Sequence, residues 1–274
     1  MNDFSRSDYD KVFFDSIKDG SLSSAKIIVP KIIDVFQPKN VIDVGCGTGS
    51  WLSVFEAAGI DIFGVDGGSI DESQLLIPRD KYVSMDVSSD IHFDRTFDIA
   101  LCLEVAEHLP PEKSEKFIGF LASLAPIVIF SAAIPGQGGT NHINEQWPIY
   151  WIELFSAHSF DVLDIFRTIF WDNQDIEPWY RQNLFAFVSK KYPHFSHNHP
   201  ASGQISALVH PEIFSRRVDS IITEKDSIIT EKDSIITEKD SIIANCNAHL
   251  DYIAHSFSWK VTKPLRYLKR LTRL

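Results

Sequence analysis

Along the first 192 residues the hydrophobic positions change period repeatedly. Between residues 8 and 37 they recur every three or four places: Tyr9, Val12, Phe13 and Ile17, then Ile27, Ile28, Ile32, Ile33, Val35 and Phe36. This predicts one or two helices, punctuated at Gly20 and Ser21 and closed by Pro38, that either pack on the rest or cover a crevice as a lid. A short apolar run at 41–44 then reads as a strand. Leu52, Val54, Phe55 and Ala58 predict a helix stopped at Gly59, and 61–66 a second strand. A third strand is predicted at 81–86, a fourth at 97–104 and a fifth at 127–133. Helices fall at 111–124, with Phe117, Phe120, Leu121 and Leu124 on one face, and at 147–158. Residues 160–168 and 184–189 read as two final strands. Apolar strands alternating with helices predict an α/β fold, a mostly parallel sheet covered on both faces.

Beyond residue 204 the pattern is of another kind. Asp-Ser-Ile-Ile-Thr-Glu-Lys occurs three times without change, at 219–225, 226–232 and 233–239, and 240–243 begin a fourth copy. A seven-residue period predicts a helix with a fixed stripe, and so a left-handed coiled coil. The isoleucines come as adjacent pairs, Ile221/Ile222, Ile228/Ile229, Ile235/Ile236 and Ile242/Ile243. Each heptad therefore has one well-filled core layer, and the other core position falls on Glu or Lys. Self-association is expected, with the number of chains open. The predicted order is a helical cap (1–37), an α/β domain (38–192), a linker (193–204), a coiled coil (205–257) and a tail (258–274).

Charge sharpens the picture of the tail. The net charge is −11, but residues 260–274 hold Lys260, Lys263, Arg266, Lys269, Arg270 and Arg273 and no acid, leaving −17 on the rest. An acidic body argues against nucleic acid as a partner. A basic amphipathic helix starting at Trp259 suits an anionic membrane surface, a partner protein or a simple cap. The three cysteines lack disulfide or metal spacing and fit a reducing compartment. No h-region opens the sequence and no apolar run nears the ~20 residues that span a bilayer. The expected location is the cytoplasm.

The candidate chemistry begins at Asp43-Val44-Gly45-Cys46-Gly47-Thr48-Gly49-Ser50, where a strand enters a glycine turn and a helix follows. Gly45 and Gly47 permit backbone angles and ligand approach that a Cβ would block. Strand two ends at Asp66, strand three at Asp86 and strand four at Glu104, so successive strands carry acids to one edge. The dinucleotide fingerprint Gly-x-Gly-x-x-Gly would need glycine at position 50, which is Ser50. The order resembles the class I S-adenosylmethionine-dependent methyltransferases over residues ~35–190, in an α/β layer pattern. Glu104-Val105-Ala106-Glu107-His108-Leu109 is similar to a segment after their fourth strand. The resemblance implies a Rossmann-like seven-stranded sheet with an antiparallel final strand. It implies S-adenosyl-L-methionine held by Asp43, Gly45, Cys46, Gly47 and Gly49, with Asp66 on the ribose hydroxyls, Asp86 and Val87 at the adenine edge, and Glu104 beside them.

Methyl transfer to a hydroxyl needs orientation and a base. The glycine-rich stretch 136–147 offers His142, the favoured base, and Glu145; the 104–109 segment offers His108, which could equally orient its own turn. Glu145 and Gln146 could bind a polyol or cap the next helix. Trp147, Tyr150, Trp151, Trp171, Trp179 and Tyr180 offer sugar-stacking faces or core. His194, His197 and His199 lie between Pro193 and Pro200 and read as a solvated linker, so no metal is expected. The end of the chain, Ser258-Trp259-Lys260-Val261-Thr262-Lys263-Pro264-Leu265-Arg266, resembles the tails of bacterial O-antigen and capsule enzymes. That resemblance implies a sugar or glycan acceptor on a surface polysaccharide or its lipid-linked precursor, and peripheral contact at the inner face of a bacterial inner membrane. A soluble small-molecule acceptor, or a non-catalytic coiled-coil scaffold, are the alternatives.

Overall fold

The structure is a computed structural model and describes residues 6–67, 70–86, 93, 95–192 and 207–271. Its contacts divide the chain into two units, Met1–Arg217 and Val218–Leu274.

The first unit holds a seven-stranded sheet in the order β3-β2-β1-β4-β5-β7-β6. The strands are β1 (Asn40–Val44), β2 (Asp61–Asp66), β3 (Tyr82–Ser84), β4 (Ile99–Leu103), β5 (Ile127–Ser131), β6 (Phe160–Leu163) and β7 (Phe185–Ser189). β1 to β5 pair in parallel, while β7 runs antiparallel between β5 and β6. The helices are α1 (Arg6–Phe36), α2 (Ser50–Ala57), α3 (Ser114–Leu124), α4 (Pro148–Ala157), α5 (Phe166–Phe170), α6 (Pro178–Asn183) and the start of α7 (Pro211–His255).

Strand side chains alternate between two cores, as period 2 requires. Val41, Ile99, Leu101, Ile127 and Ile129 meet α1, α2 and α5 on one face. Ile42, Ala100, Cys102, Val128 and Phe130 meet α3 and α4 on the other. Burial on both faces is why the parallel strands read as continuous apolar runs. α1 is a packing helix, with Ala25, Ile28, Val29 and Ile32 fully buried. The chain order reverses between β1 and β4, which leaves a crevice at their carboxyl ends, the usual place for a ligand in such a sheet.

Two predicted elements differ. The strand expected at 160–168 stops at Leu163, and α5 takes over. The reason is Arg167: it is buried, donates through Nε to Asp164 Oδ1 at 2.8 Å, and lies over the Phe185 ring. That i, i+3 pair needs a helical turn. The helix expected at 111–124 opens with a 3-10 turn, Pro111–Lys113, before α3.

The second unit is helical: the remainder of α7, α8 (Phe257–Val261) and α9 (Lys263–Leu271). Along α7 the repeated isoleucine pairs are exposed, from 37% at Ile221 to 56% at Ile243. Thr223, Thr230 and Thr237 each bond back to the carbonyl four residues earlier at 2.9 Å. The Ser256 hydroxyl caps α8 by accepting from Trp259 N–H, and Arg266 lies 3.6 Å from the centre of the Trp259 ring. Among the described residues, no helix is long and apolar enough to cross a membrane.

Candidate active site

The crevice beyond β1 and β4 holds a pocket of about 460 Å³. That is the size of an ordinary small-molecule site. Its first wall is the glycine turn. Gly45, Gly47 and Gly49 have φ of 85°, 53° and 85°. A Cβ on Gly45 would lie 2.3 Å from Val105, so this position needs glycine on two counts. The turn's backbone folds onto the tip of β2: Gly45 and Cys46 donate to the Val65 carbonyl at 2.7 and 3.1 Å, and Gly47 donates to Asp66 Oδ2 at 2.8 Å.

Asp43, Gly45, Cys46, Gly47, Asp66 and Glu104 line this pocket together. Gly49 stands just behind, against Ile77. Asp86 follows β3 beyond Met85 and is not among the lining residues. Val87, His194, His197 and His199 lie outside the described residues. Burial, reinforced by the charge of Asp66, lifts Asp43 to about 7. Burial also pushes the Cys46 thiol up, so it is no nucleophile.

The opposite wall comes from the segments after β4 and β5. Glu104 has φ of 54°, and its N–H donates to the Ser131 carbonyl at 3.0 Å. Its carboxylate accepts from Gln137 Nε2 at 3.1 Å and Asn183 Nδ2 at 3.3 Å. Burial raises it despite these bonds. Glu107, in the 3-10 turn Ala106–His108, is completely buried. Its Oε1 accepts from Ala133 N–H at 3.2 Å, while Oε2 has no hydrogen-bond partner. Burial, and then the neighbouring Glu104 charge, hold it well above the carboxylate range.

His108 and His142 both line the pocket, with ring centroids 4.9 Å apart and planes at 85°. Burial lowers His108, and so does His142 beside it. Glu145 stands behind this wall as an organiser. Its Oε2 accepts from Gly136 N–H at 2.7 Å, and its Oε1 from Gly138 N–H at 2.8 Å and from His142 Nδ1 at 3.1 Å. A carboxylate acceptor places the proton on Nδ1 and leaves Nε2 as a lone pair. A Cβ on Gly139 would come within 2.3 Å of that Nε2, so the loop glycine makes room for the ring.

Several lining residues are not apparent as site residues from sequence: Ser21, Gln137 and Thr140 among them. Asn183 joins Gln137 at 3.0 Å although 46 residues separate them, so no local signal marks the pair. Of the six candidate aromatics only Trp179 and Tyr180 reach the pocket. Trp151 is core against Phe130, Tyr150 packs on Trp151, and Trp171 packs on His210. Gln146 does not face the pocket and donates to Asn144 Oδ1.

With this geometry in hand, comparisons define the class. Residues 28–163 match the family model described as a methyltransferase domain. Among solved structures, the sugar N-methyltransferase KedS8 from Streptoalloteichus has 14% identity over 65% of this chain and 92% of its own, with a TM-score of 0.51. The magnesium protoporphyrin IX methyltransferase of Synechocystis, solved with bound SAM, has 21% identity over 62% of this chain and 80% of its own, with a TM-score of 0.47. A search of curated proteins returns no match. Residues 28–163 form a methyltransferase domain of the S-adenosylmethionine-dependent kind, on a Rossmann-like fold. Its residues suit that cofactor: a glycine turn whose tight backbone excludes a Cβ at Gly45 and Gly49, and the Asp66 carboxylate at the tip of β2 on the pocket wall.

Proposed function

We propose that this methyltransferase acts on a hydroxyl oxygen of a sugar, on a surface glycan or its lipid-linked precursor. The observation that carries the reading is the Glu145–His142 pair across the pocket from the glycine turn. A neutral amine attacks a methyl donor unaided, whereas an alcohol must be activated. An imidazole with a fixed tautomer and a free Nε2 serves that need. The cofactor supplies the activated methyl group. Asp43, Gly45, Cys46 and Gly47 hold its methionine end, Asp66 its ribose hydroxyls, and Glu104 the far side of the cleft; Asp86 and Val87 are assigned to the adenine edge. The acceptor oxygen is activated at His142, with His108 beside it. Trp179 and Tyr180 give a sugar ring an apolar face, and Gln137 gives it an amide. The KedS8 likeness indicates that this fold accommodates a sugar acceptor.

The helical unit supports a location for this reaction. Exposed isoleucine pairs favour self-association of α7 with other copies. The basic α9 favours an anionic surface at the cytoplasmic face of the membrane. The test is mass spectrometry of surface glycan from a deletion strain. Loss of one methyl ether is expected; an unchanged glycan, together with methylation of a soluble non-sugar by the purified protein, overturns the reading. Full-length chain should sediment with anionic liposomes at low salt and lose this on truncation after Phe257.

A further inference from the structure

The wall opposite the glycine turn holds more than a proton acceptor requires. One ligand atom from each of Glu107, His108 and His142 lies within 4.8 Å of the other two. Each imidazole is tethered through Nδ1 to an oxygen: His108 to the Asn141 carbonyl at 3.3 Å, His142 to Glu145 at 3.1 Å. Both tethers place the proton on Nδ1 and leave Nε2 with a lone pair. Metal-ligating histidines are held this way, the second nitrogen donating to a carbonyl or carboxylate. The third member is the Glu107 carboxyl, fully buried beside the Glu104 carboxyl, with no N–H donor to its Oε2. A buried carboxylate facing a second carboxylate is costly, and either a proton shared between them or a bound cation removes the cost.

We infer that Glu107, His108 and His142 bind one divalent first-row metal ion, with Glu104 supplying a second negative charge beside it. Two imidazoles and a carboxylate suit manganese, iron(II), cobalt or zinc; magnesium and calcium favour all-oxygen shells. Metal–ligand bonds of about 2.0–2.2 Å require the three atoms to draw together modestly from their present spacing. Three protein ligands leave positions open toward the pocket, as sites that act on a bound oxygen do.

The consequence for the reaction rests on the hydroxyl-acceptor reading above. The acceptor oxygen occupies an open position, and the ion lowers its pKa so that its proton leaves to water. That oxygen then forms a bond to the methyl carbon as the carbon–sulfur bond breaks, and the electron pair stays on sulfur. His142 is then a ligand instead of the proton acceptor, and Glu145 is a positioning residue.

The test uses the full chain stripped with a chelator and titrated with cobalt(II), read by its visible absorption, and with manganese(II), read by calorimetry. One ion per chain is expected. His108→Ala and His142→Ala should each weaken binding about a hundredfold, and Glu145→Gln, which touches no ion, roughly 10–100-fold. Glu107→Gln should abolish it; if that variant does not fold, the two histidine variants decide. His158→Ala, outside the cluster, should bind as wild type. No stoichiometric binding, or binding unchanged in both histidine variants, overturns the site. Sugar methylation that proceeds at full rate in stripped protein also overturns it. Stoichiometric metal binding with no methylation of any sugar refutes the acceptor assignment and leaves the site standing.

Discussion

Two glycine-rich loops face each other across the pocket, and they are built on opposite principles. The turn after β1 is held by exclusion. Gly45 has Val105 where its Cβ would be, Gly49 has Ile77, and the turn's N–H groups go to β2. The loop after β5 is held by a clasp. Gly136 and Gly138 have φ of 84° and 75°, but a Cβ at Gly136 would meet nothing within 4 Å. One carboxylate, Glu145, gathers two of the loop's backbone N–H groups and one imidazole, backbone bonds to Glu107 and Ala133 hold its far end, and exclusion enters only at Gly139, which clears space for the His142 ring. A wall made by exclusion suits one invariant ligand, the methyl donor. A wall made by a clasp is adjustable, and suits the side that must match an acceptor.

The sharpest way to separate the two walls is to disable one and measure both functions. His142→Ala should lower turnover about 10²–10⁴-fold, the range expected when the group that activates the acceptor oxygen is lost. Donor affinity, measured by calorimetry, should stay near wild type, and a parallel loss of both would break the division. Gly45→Ala should act the other way. Left-handed strain of about 1–2 kcal/mol adds to the Val105 clash, and a total of about 3 kcal/mol is a roughly hundredfold loss of donor affinity. Gly136→Ala carries the same strain without a clash and should leave donor affinity intact; if it matches Gly45→Ala, exclusion is not what distinguishes the loops.

Asp66→Ala should cost about 1.5–3 kcal/mol of donor binding, the range for a hydrogen bond to a charged group, with turnover retained at saturating donor. The smallest effect concerns protons. Asp43 sits at about 7 in the empty pocket, so near neutral pH it is roughly half protonated. A donor bearing positive charge lowers it, so the complex holds fewer protons and affinity should rise from pH 6 to pH 8. Calorimetry in buffers of different ionisation enthalpy should detect release of about half a proton at pH 7. The empty protein should show the opposite slope. Between the ordinary carboxylate range and pH 7 the folded chain keeps a proton the unfolded chain has lost, so stability falls as pH rises.

The excluded wall was legible in the sequence because it is local. Asp43, Gly45 and Gly47 sit within one turn, and Asp66 is the tip of the next strand, so their spacing together with the family resemblance marks one wall of the pocket. The clasped wall was legible only in part. The polar loop 136–147 and the 104–109 segment advertise chemistry, but nothing local says that His108 and His142 meet edge to face across 34 positions. The Gln137–Asn183–Glu104 bonds unite three separate segments for the same reason. Elsewhere, long-range packing overrode pattern: the apolar run at 160–168 looked like one strand, and the buried Arg167 turned its second half into a helix.

The perfect repeats of α7 carry a consequence for inheritance. Three identical seven-residue units within one uninterrupted helix mean that gaining or losing a unit changes length by about 10.5 Å while turning the stripe by only about 20°. Insertion or deletion of one such seven-residue unit therefore lengthens or shortens the chain and still leaves a continuous helix. The spacer is a dimension that selection can adjust in whole steps, with no point mutation in the catalytic unit.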